Sequence, residues 1–559
     1  MMSAFEEHCR GIVSEYVQTV LIIDDGAGLN RTNMDVGTVE EPEDFNNPMA
    51  AEVELEHEFE DDIVDEPEEV THGLNTLDLT SAFYDLGLVA GIFQPKIVEG
   101  EQPEEFALKA EKVVATADIV ILDWMLVDHD SRYSKAIVKQ ILSQDIQSGG
   151  RLRTIVIYTG ESNLHQMRDE LWTYLEDTSL KRDADYTIST EHLNIVFYNK
   201  DIALNALRPV SEKQLPQKAL GEFAVLVDGL VPAFAMKAAT TVRQNTGALL
   251  ARFDSNLDAG YLAHRSLLPN PEDSEVLMLE NYASYLRNIL ALAQVDRQTL
   301  GYQKVKDWVE DKYSSCHKKA KISGDNDEEI TFSKTNFLES FEHGFTVSKS
   351  GLFKAIQSQT SNSRAKLIVK SISNLENIVG AFGLEEGATR LSSQALSALT
   401  AFRRTYKDKR VGFPYLTQGT LIKSVDREQY FLCVMPKCDT ARVRNKRNFL
   451  FAKLTINNGE YDLIAPDISQ EESYVHLKTN LKFYQLEDIE FDAKGLAKVE
   501  ASEDDGSVIF ESVQGEKYYW IGDLEDLDIQ NKVSCIVGDF NRIGVDEVEW
   551  VRRRKSRQN

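Results

Sequence analysis

Cysteine is scarce and scattered. Cys9, Cys316, Cys433, Cys438 and Cys535 are the only five in 559 residues, which fits free thiols in a reducing compartment better than a disulfide framework. Only the stretch CVMPKC brings two thiols close, and no neighbouring His or second pair supplies the other ligands of a structural zinc. Long apolar runs are missing as well. None approaches the roughly 18–20 residues of a membrane span. The opening MMSAFEEHCRG has no basic region followed by an apolar core, so no secretion signal and no membrane are expected, and the expected compartment is cytoplasmic. Positive charge is in deficit: 61 Lys and Arg stand against 91 Asp and Glu, a net charge of −30. Such a chain is a poor electrostatic partner for nucleic acid, and the short basic tail VRRRKSRQN reads as a solvated end. The GxxxxGK[ST] phosphate loop and a glycine-rich ATP lid are both absent, which argues against a P-loop nucleotide site and against a histidine kinase in the same chain.

The negative charge is concentrated. Between Gly26 and Val70, 16 acidic residues face one basic residue, Arg31, so about half of the net charge lies in 45 residues. Weak apolar content and self-repulsion make this a solvated acidic insertion, at 26–70. The rest has a globular composition, with 42% hydrophobic and 9% aromatic residues, and a length that suits two to four domains.

Around the insertion run apolar stretches rich in Val and Ile: VLIIDD, ADIVILDWML (117–126), LRTIVIYTGE (152–161) and LNIVFYNKD (193–201), with the weaker LVAGIFQPKI in second place. Continuous runs of this length indicate strands covered on both faces. Amphipathic helical patterns lie between them: TLDLTSAFYDLG, EEFALKAEKVVATA, YSKAIVKQILSQDI and NLHQMRDELWTYL. The alternation predicts an α/β fold, a doubly wound five-stranded parallel sheet over 1–225. A helical domain is expected over 226–410, including ALGEFAVLVDGLVPAFAMKAATTVRQNTGALLARF, EDSEVLMLENYASYLRNILALAQ, LIVKSISNLENIVGAFG and SQALSALTAFRRTYK, with KKAKISGDNDEEITFSKTN as a loop inside it. A β-rich C-terminal domain is expected over 411–559, from runs such as YFLCVMPKC, FLFAKLTI, SVIFESV and KYYWIGDL, closed by a short helix or loop at DEVEWVRRR.

In a parallel α/β sheet, functional groups gather beyond the carboxyl ends of the strands. Here those ends carry Asp24 and Asp25, then Asp123, Thr159 and Lys200. Three adjacent carboxylates raise one another's pKa values unless a divalent cation sits among them, and Mg2+ takes oxygen ligands that a phosphate often completes. A hydroxyl donor and a fixed ammonium are what a phosphoryl group attached to one of the carboxylates requires.

This order resembles the receiver domain of two-component response regulators, a flavodoxin-like fold. The resemblance implies that Asp24 and Asp25 bind Mg2+, that Asp123 is the phosphoacceptor, and that the Met125 backbone carbonyl joins the metal ligands. It further implies that Thr159 and Lys200 hold phosphoryl oxygens and that Tyr198, two before the lysine, is the aromatic switch. The implied partner is a sensor histidine kinase. Two departures stand out: Asp201 follows Lys200 where the family usually has Pro, and the acidic insertion replaces a short loop. Met125 stands where a haloacid-dehalogenase phosphatase would need a second Asp.

More loosely, YFLCVMPKCDTARV and RIGVDEVEW resemble segments of large receiver proteins found beside sensor kinases in bacterial defence operons such as the Detocs anti-phage system. That implies a phosphate sink restraining a receiver-linked effector. On this reading the chain is a phosphoacceptor with at most self-dephosphorylation, not an enzyme, and no acid, base and nucleophile set marks the C-terminal region. The alternative is a non-catalytic binding scaffold whose receiver fold docks a kinase or effector. His264, in LAHRSLLPNPED, faintly resembles the phosphoaccepting histidine of a kinase dimerisation helix; its ordinary reading is a surface or half-buried histidine.

Overall fold

The computed structural model describes residues 2–24, 74–94, 100–126, 130–148, 151–312, 317–322, 328–344, 350–366, 386–408, 412–470, 473–479 and 486–540, apart from positions 178, 184, 185, 191, 202, 204, 362 and 444. The acidic insertion, LIVKSISNLENIVGAFG and DEVEWVRRR lie outside the described residues. The chain divides into two compact units, Met1–Ser314 and Ser315–Asn559.

The first unit is built on a sheet whose central strands are parallel: β1 (Thr19–Ile23), β2 (Val89–Phe93), β3 (Ile119–Leu122), β4 (Arg153–Thr159) and β7 (Leu193–Lys200), in the order β2-β1-β3-β4-β7. Alternate residues of the apolar runs point to opposite faces. Val20, Ile22, Ile121, Val156 and Val196 meet α1 (Ala4–Tyr16), α2 (Thr76–Tyr84) and α6 (Leu215–Ala224). Ile23, Leu122, Ile155, Ile157 and Phe197 meet α3 (Pro103–Val114), α4 (Arg132–Ser148) and α5 (Leu164–Leu175) on the other face. Both faces of β1, β3, β4 and β7 are therefore dry, as continuous Val and Ile runs require, while the edge strand β2 leaves Val89 and Ile92 exposed.

Among the described residues the sheet has eight strands rather than five, and it is mixed. β5 (Lys181–Asp183) and β6 (Thr187–Ser189) form an antiparallel hairpin laid along β7, and β8 (Pro209–Val210) pairs with the end of β7. Three strands of two or three residues are too short to carry a periodic signal. They cover the outer edge of β7, whose eight residues are all buried, and so protect it from pairing with another chain.

Helix α1 also escaped the sequence reading. Phe5, Cys9, Ile12 and Val13 form its buried stripe, and Ser3 and Glu6 close a reciprocal capping box at its start. The long helical pattern after 215 is broken: α6, a 3-10 turn Val225–Val227, α7 (Leu230–Gln244) and α8 (Thr246–Arg252) follow one another, with a bend of 114° between the first pair. Among the described residues no single helix is long and apolar enough to cross a membrane. Helices α9 (Asp258–Leu267), α10 (Asp273–Leu292), α11 (Val295–Leu300) and α12 (Tyr302–Lys312) complete the unit.

In the second unit the stretch read as a loop is a hairpin. β9 (His317–Ile322) pairs antiparallel with β10 (Glu328–Ser333), followed by α13 (Lys334–His343) and α14 (Gly351–Gln359). SGDND has the composition of a loop, but ITFS, two residues beyond it, alternates and buries Ile330 and Phe332. SQALSALTAFRRTYK is likewise not one helix. The helix Glu386–Ala401 stops, and Phe402–Thr405 becomes a strand against Lys517–Leu524. The sheet there has ten strands, wrapped around Phe431, Phe449, Phe451, Phe491, Phe510, Tyr518 and Trp520.

Candidate functional site

Adjacent parallel strands held in register bring their carboxyl ends to one edge. Ile23 pairs with Leu122, Leu122 with Ile157, and Thr159 with Asn199, so the residues that follow or end these strands meet. Asp24 and Asp123 are the first residues past β1 and β3, while Thr159 and Lys200 are the last of β4 and β7. The Lys200 ammonium sits between both carboxylates, 3.0 Å from Asp24 Oδ2 and 2.7 Å from Asp123 Oδ2. All three side chains are nearly inaccessible, at 1% for Lys200, 3% for Asp24 and 10% for Asp123. Thr159 is buried beside them, its hydroxyl accepting from the Glu161 N–H at 3.2 Å. The turn after Asp123 is fixed by two bonds: the Met125 N–H donates to Asp123 Oδ1 at 3.3 Å, and the Ser134 hydroxyl donates to the Trp124 carbonyl at 2.7 Å. Asp25 lies outside the described residues. His264 lies on α9.

Burial pushes the Asp123 carboxyl up, Lys200 pulls it back and Asp24 pushes it up again, for a net rise to about 6. For Lys200, burial alone disfavours the charge, but the two carboxylates outweigh it and hold the ammonium above the ordinary lysine range. The site is therefore a buried cluster in which one cation serves two anions.

Its donor set fits a hard divalent cation. Among the described residues Asp24 Oδ1 is buried without a hydrogen-bond partner, a condition that costs a few kcal/mol for a carboxylate oxygen. Asp118, at the opposite end of the strands, is the contrast. Its Oδ2 accepts from the Gln18 N–H, the Thr19 N–H and the Thr19 hydroxyl, and its Oδ1 pairs with Arg151 at 2.7 Å. Asp118 is satisfied by the protein; Asp24 is not. Among the described residues no three His, Cys, Asp or Glu side chains stand where they could hold a metal.

Tyr198 points to the opposite side of β7 from Phe197 and is buried with the α1 and α6 layer. Its hydroxyl donates to Glu222 of α6 and accepts from Arg208 Nη2 at 3.0 Å, while the Arg208 guanidinium lies 4.2 Å from its ring centroid. Burial, then Glu222, raises its pKa.

The sequence reading missed Asn199, which is fully buried between Tyr198 and Lys200. Its Nδ2 donates to the Glu161 carbonyl at 2.6 Å, and its Oδ1 accepts from the N–H groups of Leu207 and Arg208 at 2.9 and 3.0 Å. One amide thus ties the loop that follows Thr159 to the loop that follows Lys200. An amide interrupting the apolar LNIVFYNK was the available signal. Asn199→Ala leaves three backbone groups without that partner, and the expected result is a loss of about 2–4 kcal/mol, measured by chemical denaturation.

Residues 16–205, about a third of the chain, match the family model described as a response receiver domain. No curated protein matches the chain, and no solved structure does.

Proposed function

Residues 16–205 are a response receiver domain, and from that premise we propose that the chain accepts a phosphoryl group on Asp123 from a histidine kinase, with Mg2+ held by Asp24, Asp25, Asp123 and the Met125 carbonyl. The observation that carries this reading is the buried pairing of Lys200 with Asp24 and Asp123 beside a partnerless Asp24 oxygen.

In the transfer an Asp123 carboxylate oxygen attacks phosphorus. The bond from phosphorus to the donor nitrogen breaks, and its electron pair stays on the histidine ring. Bound Mg2+ would neutralise charge on the phosphoryl oxygens. Lys200, now 2.7 Å from Asp123, is close enough to move its ion pair onto a phosphoryl oxygen as the carboxylate charge is consumed. Thr159, whose hydroxyl oxygen accepts from the Glu161 N–H, has a hydroxyl proton to donate to another. A change at Lys200 passes to its neighbours in β7, Asn199 and Tyr198, and Tyr198 reports to α6 through Glu222.

The chain is proposed as an acceptor that discharges by water rather than as an enzyme with its own substrate. Its wider role as a phosphate sink in bacterial antiviral defence, restraining a receiver-linked effector, rests on the resemblance alone. The scaffold reading makes the opposite prediction for a small phosphodonor. The purified chain incubated with acetyl phosphate and Mg2+ is expected to take up one phosphoryl group per chain, and chelation with EDTA is expected to abolish uptake. No uptake in the presence of Mg2+ would leave the scaffold.

A further inference from the structure

Helix α10 is amphipathic twice over. Its inward stripe packs as expected: Ile289 is buried, Tyr282 meets Phe253 with ring centroids 5.5 Å apart, and the Arg252 guanidinium lies 4.7 Å from the Tyr285 ring. A second apolar stripe runs along Val276, Leu279, Ala283, Leu286 and Leu290, alternating steps of three and four residues, which is the spacing of a coiled-coil seam. This stripe lies roughly a quarter turn or more from the first, and within the unit it is not fully covered. Leu279 is 67% exposed and Val276 46%, Ala283 is exposed, and Leu286 and Leu290 are half-buried. A patch of this kind on a water-exposed helix marks an interaction surface.

We propose that the α10 seam pairs antiparallel with α10 of a second copy of this chain. Three observations select that occupant. Read backwards, the seam repeats its own spacing about the midpoint between Ala283 and Leu286, so a two-fold axis there sets Ala283 against the second copy's Leu286 and Leu279 against its Leu290. One residue of the central layer, Ala283, is small enough for two helices to approach closely. The flanking charges are complementary only in this direction: Glu280 precedes the centre and Arg287 follows it, and among the described residues neither makes an ion pair within the chain. The two-fold brings Glu280 of each copy towards Arg287 of the other, whereas an in-register parallel pair would hold these two residues about two turns apart along the axis. One helix pair alone gives a small interface against the roughly 1,200 Å² of a stable one. Arg265 ties α9 to α10 through Glu275 at 2.7 Å.

Sedimentation of the full chain tests the pairing. The expected result for the unaltered chain is a concentration-dependent dimer, and for Leu279→Glu a monomer with unchanged far-UV circular dichroism. Glu280→Arg and Arg287→Glu are each expected to weaken the dimer about tenfold or more, and the two together to restore it. A chain that is monomeric at every concentration, a dimer unaffected by Leu279→Glu, or a double variant no tighter than the single ones would overturn the proposal.

Discussion

Asp123→Asn is expected to take up no phosphoryl group and, in the absence of Mg2+, to be more stable than the unaltered chain at neutral pH. The first half follows from chemistry, because an amide oxygen is too poor a nucleophile to attack phosphorus. The second follows from the electrostatics of the buried cluster. Lys200 neutralises one carboxylate well but is shared by two, and burial leaves Asp123 with a pKa raised to about 6. A carboxyl whose folded pKa lies above its unfolded value favours folding fully only below the unfolded value. That contribution is lost as pH rises through the folded one. Stability of the unaltered chain should therefore decline between about pH 4 and pH 7 by this contribution. The amide keeps the bulk and hydrogen-bonding capacity of the protonated acid without a charge to bury, so it should remove the decline and gain about 1–3 kcal/mol at pH 7.5. Denaturant titrations of both chains at pH 5 and pH 7.5 measure the difference. Mg2+ should reverse the order by stabilising only the chain that binds it. A functional residue that costs stability is the pattern expected when a site is built for a ligand rather than for the fold. Equal stability of the two chains at both pH values would remove the electrostatic part of this argument.

Asp145→Ala is expected to be the most damaging single change in the first unit away from the strand ends. Arg153, fully buried at the start of β4, is held by Asp145 of α4 through two bonds of 2.9 Å, Nε to Oδ2 and Nη2 to Oδ1. Its Nη1 donates to the carbonyls of Val114 and Ala117 at 2.7 and 2.8 Å. One guanidinium thereby joins β4, α4 and the end of α3. Removing the carboxylate strands a buried cation, which costs about 3–5 kcal/mol. In thermal unfolding this is roughly a 10 °C drop for a unit of this size. A buried ion pair as a whole is worth much less than the loss of one partner suggests, so Asp145→Leu combined with Arg153→Met should recover most of the stability. A double variant as unstable as the single one would mean that the carbonyl contacts, not the ion pair, hold the corner.

The strand-end residues were legible for a local reason. Runs of Val and Ile end abruptly at Asp24, Asp123, Thr159 and Lys200, and the chain order of those residues maps directly onto strands that pair in register. What could not be read depends on partners remote in sequence or on segments too short for periodicity. Asn199 matters because of backbone groups at 161, 207 and 208. The hairpin β5–β6 becomes strand only because the β7 edge is there to pair with. Phe402–Thr405 leaves the helical pattern before it because Arg404 reaches Asp523, 2.5 Å away on a strand more than a hundred residues later. Tyr198 was identified as a candidate by its position, but its hold on Glu222 and Arg208 required the geometry of α6.

The central claim is most directly tested by locating the phosphoryl group. After incubation with acetyl phosphate and Mg2+, borohydride reduces an aspartyl phosphate to homoserine, which peptide mass spectrometry can place in the chain. The expected result is homoserine at position 123 in the unaltered chain only when Mg2+ is present. Homoserine at another carboxylate, a label held on His264, or no modification at all would contradict the assignment of Asp123 as the phosphoacceptor.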